Sequence, residues 1–311
     1  MGGLISAYFI FKLNFIITIS FLCSWLGRAA RIVSKDPYSG STIVIHNVPY
    51  TFERRLGSGG FGSVYQARRN DSKAVAVKVI NLNGLPPARS QSLVRTYLNE
   101  VGHLQRLRQA SRHVVVIYDF DFDPRSGQGY IVMELGGENL TALIRRLRSM
   151  NDGGGPAIDP VMIKEFWHQM VSIVRVLHTN GIVHMDLKPD NLILFGRTLK
   201  IADLGISRKA DSLGYARMGT PLFSAPEIMT DVAGLQRVYG PKADIWSLGA
   251  ILYFMVYGRP PAYHALAANP PLGQPPYPDS SLNDILRRTL VTNPHSRADI
   301  NVLILHPFTR S

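Results

Sequence analysis

The sequence predicts an α+β chain in two parts, a strand-rich first part with one helix and a larger helical remainder. Three observations lead there. Its 311 residues, 46% hydrophobic and 18% charged, suffice for two lobes or one large domain with a sizeable core. Extended-looking stretches follow one another from Ile43 to Met133, interrupted by a single helical periodicity. From Leu140 onward, apolar residues recur mainly at spacings of three and four.

An excess of 34 basic over 22 acidic residues gives a net charge of +12. That balance suits acidic partners (nucleotide phosphates, acidic proteins, nucleic acid or an anionic membrane) or a solvated basic surface. The single cysteine, Cys23, cannot form an intrachain disulfide and favours a reducing compartment, cytosol or nucleus.

Residues 1–45 read as an apolar segment followed by a linker. Leu4–Leu26 is apolar apart from Lys12 and Asn14. At about 1.5 Å per residue it is long enough for a hydrocarbon core of roughly 30 Å. Arg28, Arg31 and Lys35 follow, so a span puts the rest of the chain on the cytoplasmic side. Three other readings stand beside this one: a myristoylation signal in Met1–Ser6, an apolar extension packed on the domain, and a mis-called start. Arg28–Ser41 is a polar linker with turn signals at Asp36-Pro37 and Ser39-Gly40.

In the strand-rich part, Tyr50–Leu56 leads into Gly57-Ser58-Gly59-Gly60-Phe61-Gly62, and Ser63–Ala67 leads out. Dinucleotide-binding folds use the same glycine spacing to open a helix, whereas here the glycines join two strands. Bare backbone lets amides approach phosphates without side-chain clash. In Val75-Ala76-Val77-Lys78, strand alternation sets Ala76 and Lys78 on one face. The small Ala76 leaves room for a purine while Lys78 reaches phosphates.

Asn81–Ser92, with Pro86-Pro87, reads as a mobile connection. Leu93–Arg108 is helical, with Leu93, Tyr97, Val101, Leu104 and Leu107 in one stripe and Glu100 on that general face as a partner for Lys78. Arg106, Arg108 and Arg112 read as a wet basic edge, and no direct nucleic-acid binding is expected. Val114–Asp119 and Tyr130–Met133 are the next strands. Glu134-Leu135-Gly136-Gly137 then forms a hinge whose backbone suits an adenine edge, bordered by Met133.

Leu140–Leu147 is helical, and Met150–Pro160 is a glycine-rich surface loop. Val161–His178 is a helix burying Ile163, Phe166, Trp167, Met170, Val174 and Leu177, stopped by Asn180-Gly181. His168 and His178 lack metal-ligand spacing and read as structural. His184-Met185-Asp186-Leu187-Lys188-Pro189-Asp190-Asn191 then places an acid, a lysine and an amide at fixed offsets. Such a loop can present Asp186 to a hydroxyl, Lys188 to a phosphate and Asn191 to a metal ion.

Asp203 stands seventeen residues beyond Asp186 in Ala202-Asp203-Leu204-Gly205, a carboxylate of the kind a hard metal ion takes. Ile206–Ser224 carries the hydroxyls of Ser207, Ser212, Tyr215 and Thr220, and is closed by Gly219-Thr220-Pro221 and Ala225-Pro226-Glu227. An apolar helix runs from Asp244 to about Tyr257. The Pro-rich run Arg259–Pro278 precedes a helix near Leu282–Val291, and His306-Pro307-Phe308 ends the domain.

In this order and spacing, the motifs resemble a protein kinase over residues 48–308. The carriers are GxGxxGxV ending at Val64, Val75–Lys78, His184–Asn191, Asp203-Leu204-Gly205 and Ala225-Pro226-Glu227. Within kinases the chain is similar to the monopolar-spindle (TTK-type) checkpoint family at Leu56–Gly60, Tyr97–Glu100, Val132–Glu134, Gly181–His184, Pro241–Gly249 and Ile251–Gly258.

The resemblance implies a bilobal protein-kinase fold, with a small β-rich lobe carrying one helix, a larger helical lobe, and ATP between them. It implies ATP binding by Leu56, Gly57, Ser58, Gly59, Gly60, Phe61, Gly62, Val64, Ala76, Lys78, Glu100, Met133, Glu134, Gly136 and Ile193. It also implies Mg2+ at Asn191 and Asp203, catalysis by Asp186 and Lys188, and a Glu227–Arg297 contact in the larger lobe. Two residues depart from the general pattern: Met185 stands where Arg is usual, and Leu204 where Phe is usual. Met185 cannot make the Arg–phosphate pair that commonly orders an activation segment. Family members carry a long N-terminal extension that directs them to kinetochores. None is expected here, which leaves the cellular role open.

The leading expectation is an ATP- and Mg2+-dependent kinase acting on Ser/Thr of protein substrates, with Tyr left open. Spindle-checkpoint signalling, kinetochore partners and a cytoplasmic, nuclear or kinetochore location follow from the family. The alternatives are a membrane-anchored Ser/Thr kinase in contact with lipid through residues 4–26, and a pseudokinase scaffold, toward which only Met185 and Leu204 lean.

Overall fold

The computed structural model describes residues 36–123, 125–150, 158–214, 219–229, 237–262 and 266–310. The four readings of residues 4–26 lie outside them. Among the described residues, no helix is long and apolar enough to cross a membrane. The chain divides into two compact units.

The first unit runs to Arg108 and resumes over Val115–Leu135. Its strands are β1 (Thr42–Ile45), β2 (Val48–Gly59), β3 (Gly62–Arg69), β4 (Ala74–Asn81), β5 (Ile117–Asp123) and β6 (Gln128–Glu134), and α1 (Pro87–Leu107) is its one helix among the described residues. They form a single antiparallel sheet of order β1-β2-β3-β4-β6-β5. Period-two alternation sends Tyr50, Phe52, Tyr65, Ala67, Val75, Val77 and Val79 into one core. There the rings of Tyr38, Phe52 and Tyr65 meet with centroids 5.2–5.4 Å apart.

Helix α1 starts six residues earlier than its apolar stripe suggests. Pro86 and Pro87, read as a connection, initiate it: Pro86 is the N-cap and Pro87 the first helical residue. A proline there gives up an N–H that the first helical turn leaves unpaired in any case.

The second unit comprises Gln109–Val114 and Gly136 to the C-terminus. Its helices are α2 (Leu140–Ser149), α3 (Pro160–Thr179), α4 (Pro226–Met229), α5 (Lys242–Tyr257), α6 (Ser280–Thr289), α7 (Ile300–Leu305) and α8 (Pro307–Arg310). Among the described residues it also has three two-stranded ribbons: β7 (Ile182–Val183) with β10 (Arg208–Lys209), β8 (Leu192–Phe195) with β9 (Thr198–Ile201), and β11 (Ser212–Gly214) with β12 (Arg237–Tyr239).

Helix α3 extends one residue beyond its expected bounds at each end and buries the expected stripe. Its N-cap, Asp159, accepts a hydrogen bond from Val161 N. Helix α5 is buried nearly all round, with Trp246 wholly enclosed and the guanidinium of Arg297 over its indole.

Candidate active site

In the first unit the glycine run joins two antiparallel strands, with Ser58 opposite Ser63 and Gly59 opposite Gly62. The glycines are not equivalent. A Cβ at Gly62, where φ is +141°, would stand 2.3 Å from Val79 O, so the sheet itself requires this glycine. At Gly57 and Gly59 a Cβ would meet nothing within 4 Å. The fold does not require glycine there, and the bare backbone is a cradle that side chains would fill. Leu56, Ser58 and Gly60 are exposed around it, while Phe61 and Val64 are half-buried. Gly60 O accepts from Arg89 Nη2 at 2.8 Å.

Strand β4 carries Ala76 opposite Gln66 and Met133, and Lys78 opposite Val64 and Ile131. Lys78 is buried, and its Nζ lies 2.5 Å from Glu100 Oε2 on α1, itself 1% exposed. Glu134 is committed locally: its Oε1 accepts from Val116 N at 2.7 Å and its N donates to Val116 O. Its carboxylate therefore serves the strand pair, and any adenine contact at this position falls to the main chain.

In the second unit, Gly136 and Ile193 lie against each other. A Cβ on Gly136 would be 2.4 Å from Ile193 Cγ2. The loop Asp186–Asn191 ends in a 3-10 turn, Pro189–Asn191. Asp186 Oδ2 is 2.7 Å from Lys188 Nζ, and Asp186 Oδ1 accepts from Thr220 Oγ1 at 2.6 Å. Lys188 Nζ also donates to Thr220 Oγ1 at 2.6 Å, which closes a three-residue ring. Thr220, one hydroxyl among several in the sequence, thus joins the candidate site. Its Gly-Thr-Pro setting was the available signal.

The other described hydroxyls of that segment are enclosed. Ser207 is 1% exposed, with its Oγ turned toward His184 O, and Ser212 Oγ is buried. Tyr215 lies outside the described residues.

The loop backbone is held from a distance. Asp244, fully buried on α5, accepts from His184 N at 2.9 Å, Met185 N at 3.1 Å and His178 Nε2 at 2.9 Å. Burial pushes its carboxyl up, but the His178 hydrogen bond, the charges of His178 and His184 and the His184 N–H bring it below its ordinary value. Met185 is 3% exposed in a left-handed conformation, φ +70°. Gly219, φ +86°, passes over it so closely that a Cβ would lie 2.5 Å from Met185 O.

Hairpin β8–β9 brings the metal candidates to its open end, where Leu192 pairs with Ile201 and Ala202 N donates to Asn191 O at 2.9 Å. Asn191 Nδ2 donates to Asp186 O at 2.9 Å, so its Oδ1 is the side-chain atom that bond does not use. Asp203 follows with φ +61°, and Leu204 is wholly buried at its apolar position. Among the described residues, no three His, Cys, Asp or Glu group together as a metal site. An amide oxygen plus a carboxylate nevertheless suits Mg2+, which takes one or two protein oxygens and completes its shell with phosphates and water. Elsewhere in the unit, Arg297 clasps Glu227 through two bonds of 2.8 and 2.9 Å.

A family model described as the protein kinase domain matches residues 50–309. The chain belongs to the protein kinase family. By that membership it has the bilobal protein-kinase fold, and the family's phosphoryl donor and metal are ATP and Mg2+. The chain is 31% identical over 282 residues to "Dual specificity protein kinase TTK" of Mus musculus, covering 84% of this chain and 31% of that protein. It is 31% identical over 290 residues to "Probable serine/threonine-protein kinase mps1" of Dictyostelium discoideum, covering 86% of this chain and 28% of that protein. It is also 35% identical over 220 residues to "Serine/threonine-protein kinase ATG1c" of Arabidopsis thaliana, covering 68% of this chain and 27% of that protein. This kinase thus spans about a third or less of the length of these relatives.

Proposed function

We propose that residues 48–308 transfer the γ-phosphoryl group of ATP to Ser or Thr hydroxyls of proteins, in signalling that governs chromosome segregation. The ring of Asp186, Lys188 and Thr220 is the observation that carries the chemistry. In this reading ATP supplies the transferred group, and Mg2+ offsets the charge on its phosphates. Asp186 receives the substrate hydroxyl and holds its proton at a carboxylate oxygen, directing the oxygen lone pair toward the phosphoryl group. Lys188 places a positive charge beside that oxygen, and Thr220 fixes the rotamers of both. Asn191 Oδ1 and the Asp203 carboxylate hold metal, Lys78 held by Glu100 orients phosphates, and the backbone at Gly57 and Gly59 covers them.

Transfer from labelled ATP to a protein acceptor, lost in Asp186→Asn, is the expected result. A wild-type chain that transfers nothing with Mg2+-ATP would leave the scaffold reading in its place. The resemblance to the monopolar-spindle (TTK-type) family, with similarity to kinases called TTK in mouse and mps1 in Dictyostelium, supports the segregation role, and the dual specificity named for the mouse protein supports Tyr as a further acceptor. Kinetochore enrichment during division is the expected localisation; a steady signal elsewhere would displace that role. The burial of Met185 supports a weak dependence on activation-segment phosphate. Phosphatase treatment is then expected to leave activity within about twofold, because no arginine stands there to hold the phosphate.

A further inference from the structure

The second unit contains a cleft of 480 Å³ lined by Arg112, Lys164, Glu165, His168, Gln169 and Arg197, with Val161 and Thr198 at its edges. None of these is a residue assigned above to phosphoryl transfer. Its walls are α3 and the turn of hairpin β8–β9, and they are fixed to each other. Gln169 Nε2 donates to Arg197 O at 3.0 Å, and its Oε1 accepts from Leu199 N at 2.7 Å. The cleft is therefore preformed, and its size suits a few side chains of a ligand.

Its charge is unbalanced. Glu165 is the cleft's one acid, and Arg197 occupies both of its oxygens, at 2.7 and 2.9 Å. Arg112 and Lys164 have no ion-pair partner among the described residues. Outside the cleft, Lys164 Nζ lies 5.7 Å from the centre of the Phe308 ring and feels the through-space charge of Asp279, whose carboxylate is occupied in capping α6. Among the described residues, Arg112 reaches only the ring of its neighbour His113. Two cations without an ion-pair partner among the described residues thus line one small concavity, beside an Arg–carboxylate pair that an incoming anion can open. His168 adds a ring nitrogen, Nε2, that is enclosed without a hydrogen-bond partner among the described residues. The wall is therefore incompletely satisfied in the free chain.

We propose that this cleft docks an acidic segment of a protein substrate, receiving two anionic side chains, carboxylate or phosphate, on Arg112 and Lys164. A peptide fits better than a nucleic-acid backbone because the cations are confined to one short concavity and do not form a track.

The test uses the full chain without ATP. Three fluorescein-labelled peptides of one length carry four Glu, four phosphoserine or four Gln, and fluorescence anisotropy reads their affinity. We expect binding of the Glu or phosphoserine peptide, the tighter one naming the source of charge, and none of the Gln peptide. Arg112→Glu with Lys164→Glu should weaken it at least about fivefold. Glu165→Gln, which releases Arg197, should tighten it about twofold or more. That opposite sign is not expected from general damage to the fold. Equal binding by all variants, or equal affinity for an oligo-dT strand of matched charge, would overturn the proposal. The word substrate rests on the kinase reading, but the binding does not. Failed binding removes the docking cleft and leaves phosphoryl transfer standing, whereas a chain that binds the peptide yet transfers no phosphate does the reverse.

Discussion

Thr220 donates its hydroxyl to Asp186 Oδ1 at 2.6 Å while accepting from Lys188 Nζ at the same distance. A hydrogen bond to a charged group contributes about 1.5–3 kcal/mol, so Thr220→Ala is expected to lower kcat by about 10- to 100-fold with KM for ATP little changed. Thr220→Ser keeps the oxygen and should retain most of the activity. Steady-state kinetics on the three proteins decides. A fully active alanine variant would remove Thr220 from the site.

The glycine turn separates structural from functional glycine. Gly62→Ala meets Val79 O and an unfavourable φ, and is expected to cost about 1–3 kcal/mol or more in urea unfolding. Gly57→Ala and Gly59→Ala meet no atom, so stability should stay the same or rise by about 0.5 kcal/mol. Their effect should appear instead as a raised KM for ATP.

Lys78 and Glu100 form a buried pair at 2.5 Å. Breaking one partner of such a pair costs about 3–5 kcal/mol, and a neutral replacement of both costs much less. Lys78→Met and Glu100→Gln should each destabilise the chain, and the double variant should recover most of the loss. Activity should recover in none of them. A double-mutant cycle in urea, run beside ATP turnover, measures both.

Asp244 makes stability depend on pH. Its folded pKa lies below the ordinary 3.8, so the folded chain holds that proton less tightly than the unfolded chain. The contribution is complete above 3.8 and is lost as pH falls through the lowered folded value. Wild-type unfolding free energy should therefore drop more steeply than that of Asp244→Asn as pH falls below about 3.8. At neutral pH the variant should be less stable by about 3 kcal/mol, because two loop N–H groups and His178 share that carboxylate.

Local patterns made much of this legible in the sequence. Helix α3 has a continuous apolar stripe, an Asp cap and an Asn-Gly stop, and it folds within one residue of expectation at each end. The glycine turn and β4 were readable because strand alternation and glycine chemistry are local. Ribbons β7–β10 and β11–β12 were not, because two or three residues carry no period. Pro86-Pro87 misled because proline both breaks a helix and starts one. Thr220 and Asp244 were not assigned because their partners lie 34 and about 60 residues away. No spacing rule reaches that far.

The anchoring of His184 and Met185 by Asp244 has a consequence for synthesis. During translation, Asp186, Asn191 and Asp203 leave the ribosome well before the carboxylate that fixes their loop, which sits on the last long helix to be made. A nascent chain halted at residue 240 already contains every residue assigned to phosphoryl transfer. It lacks the helix whose docking gives the loop its shape. The loop can therefore take its final shape only after that helix has been made and has docked.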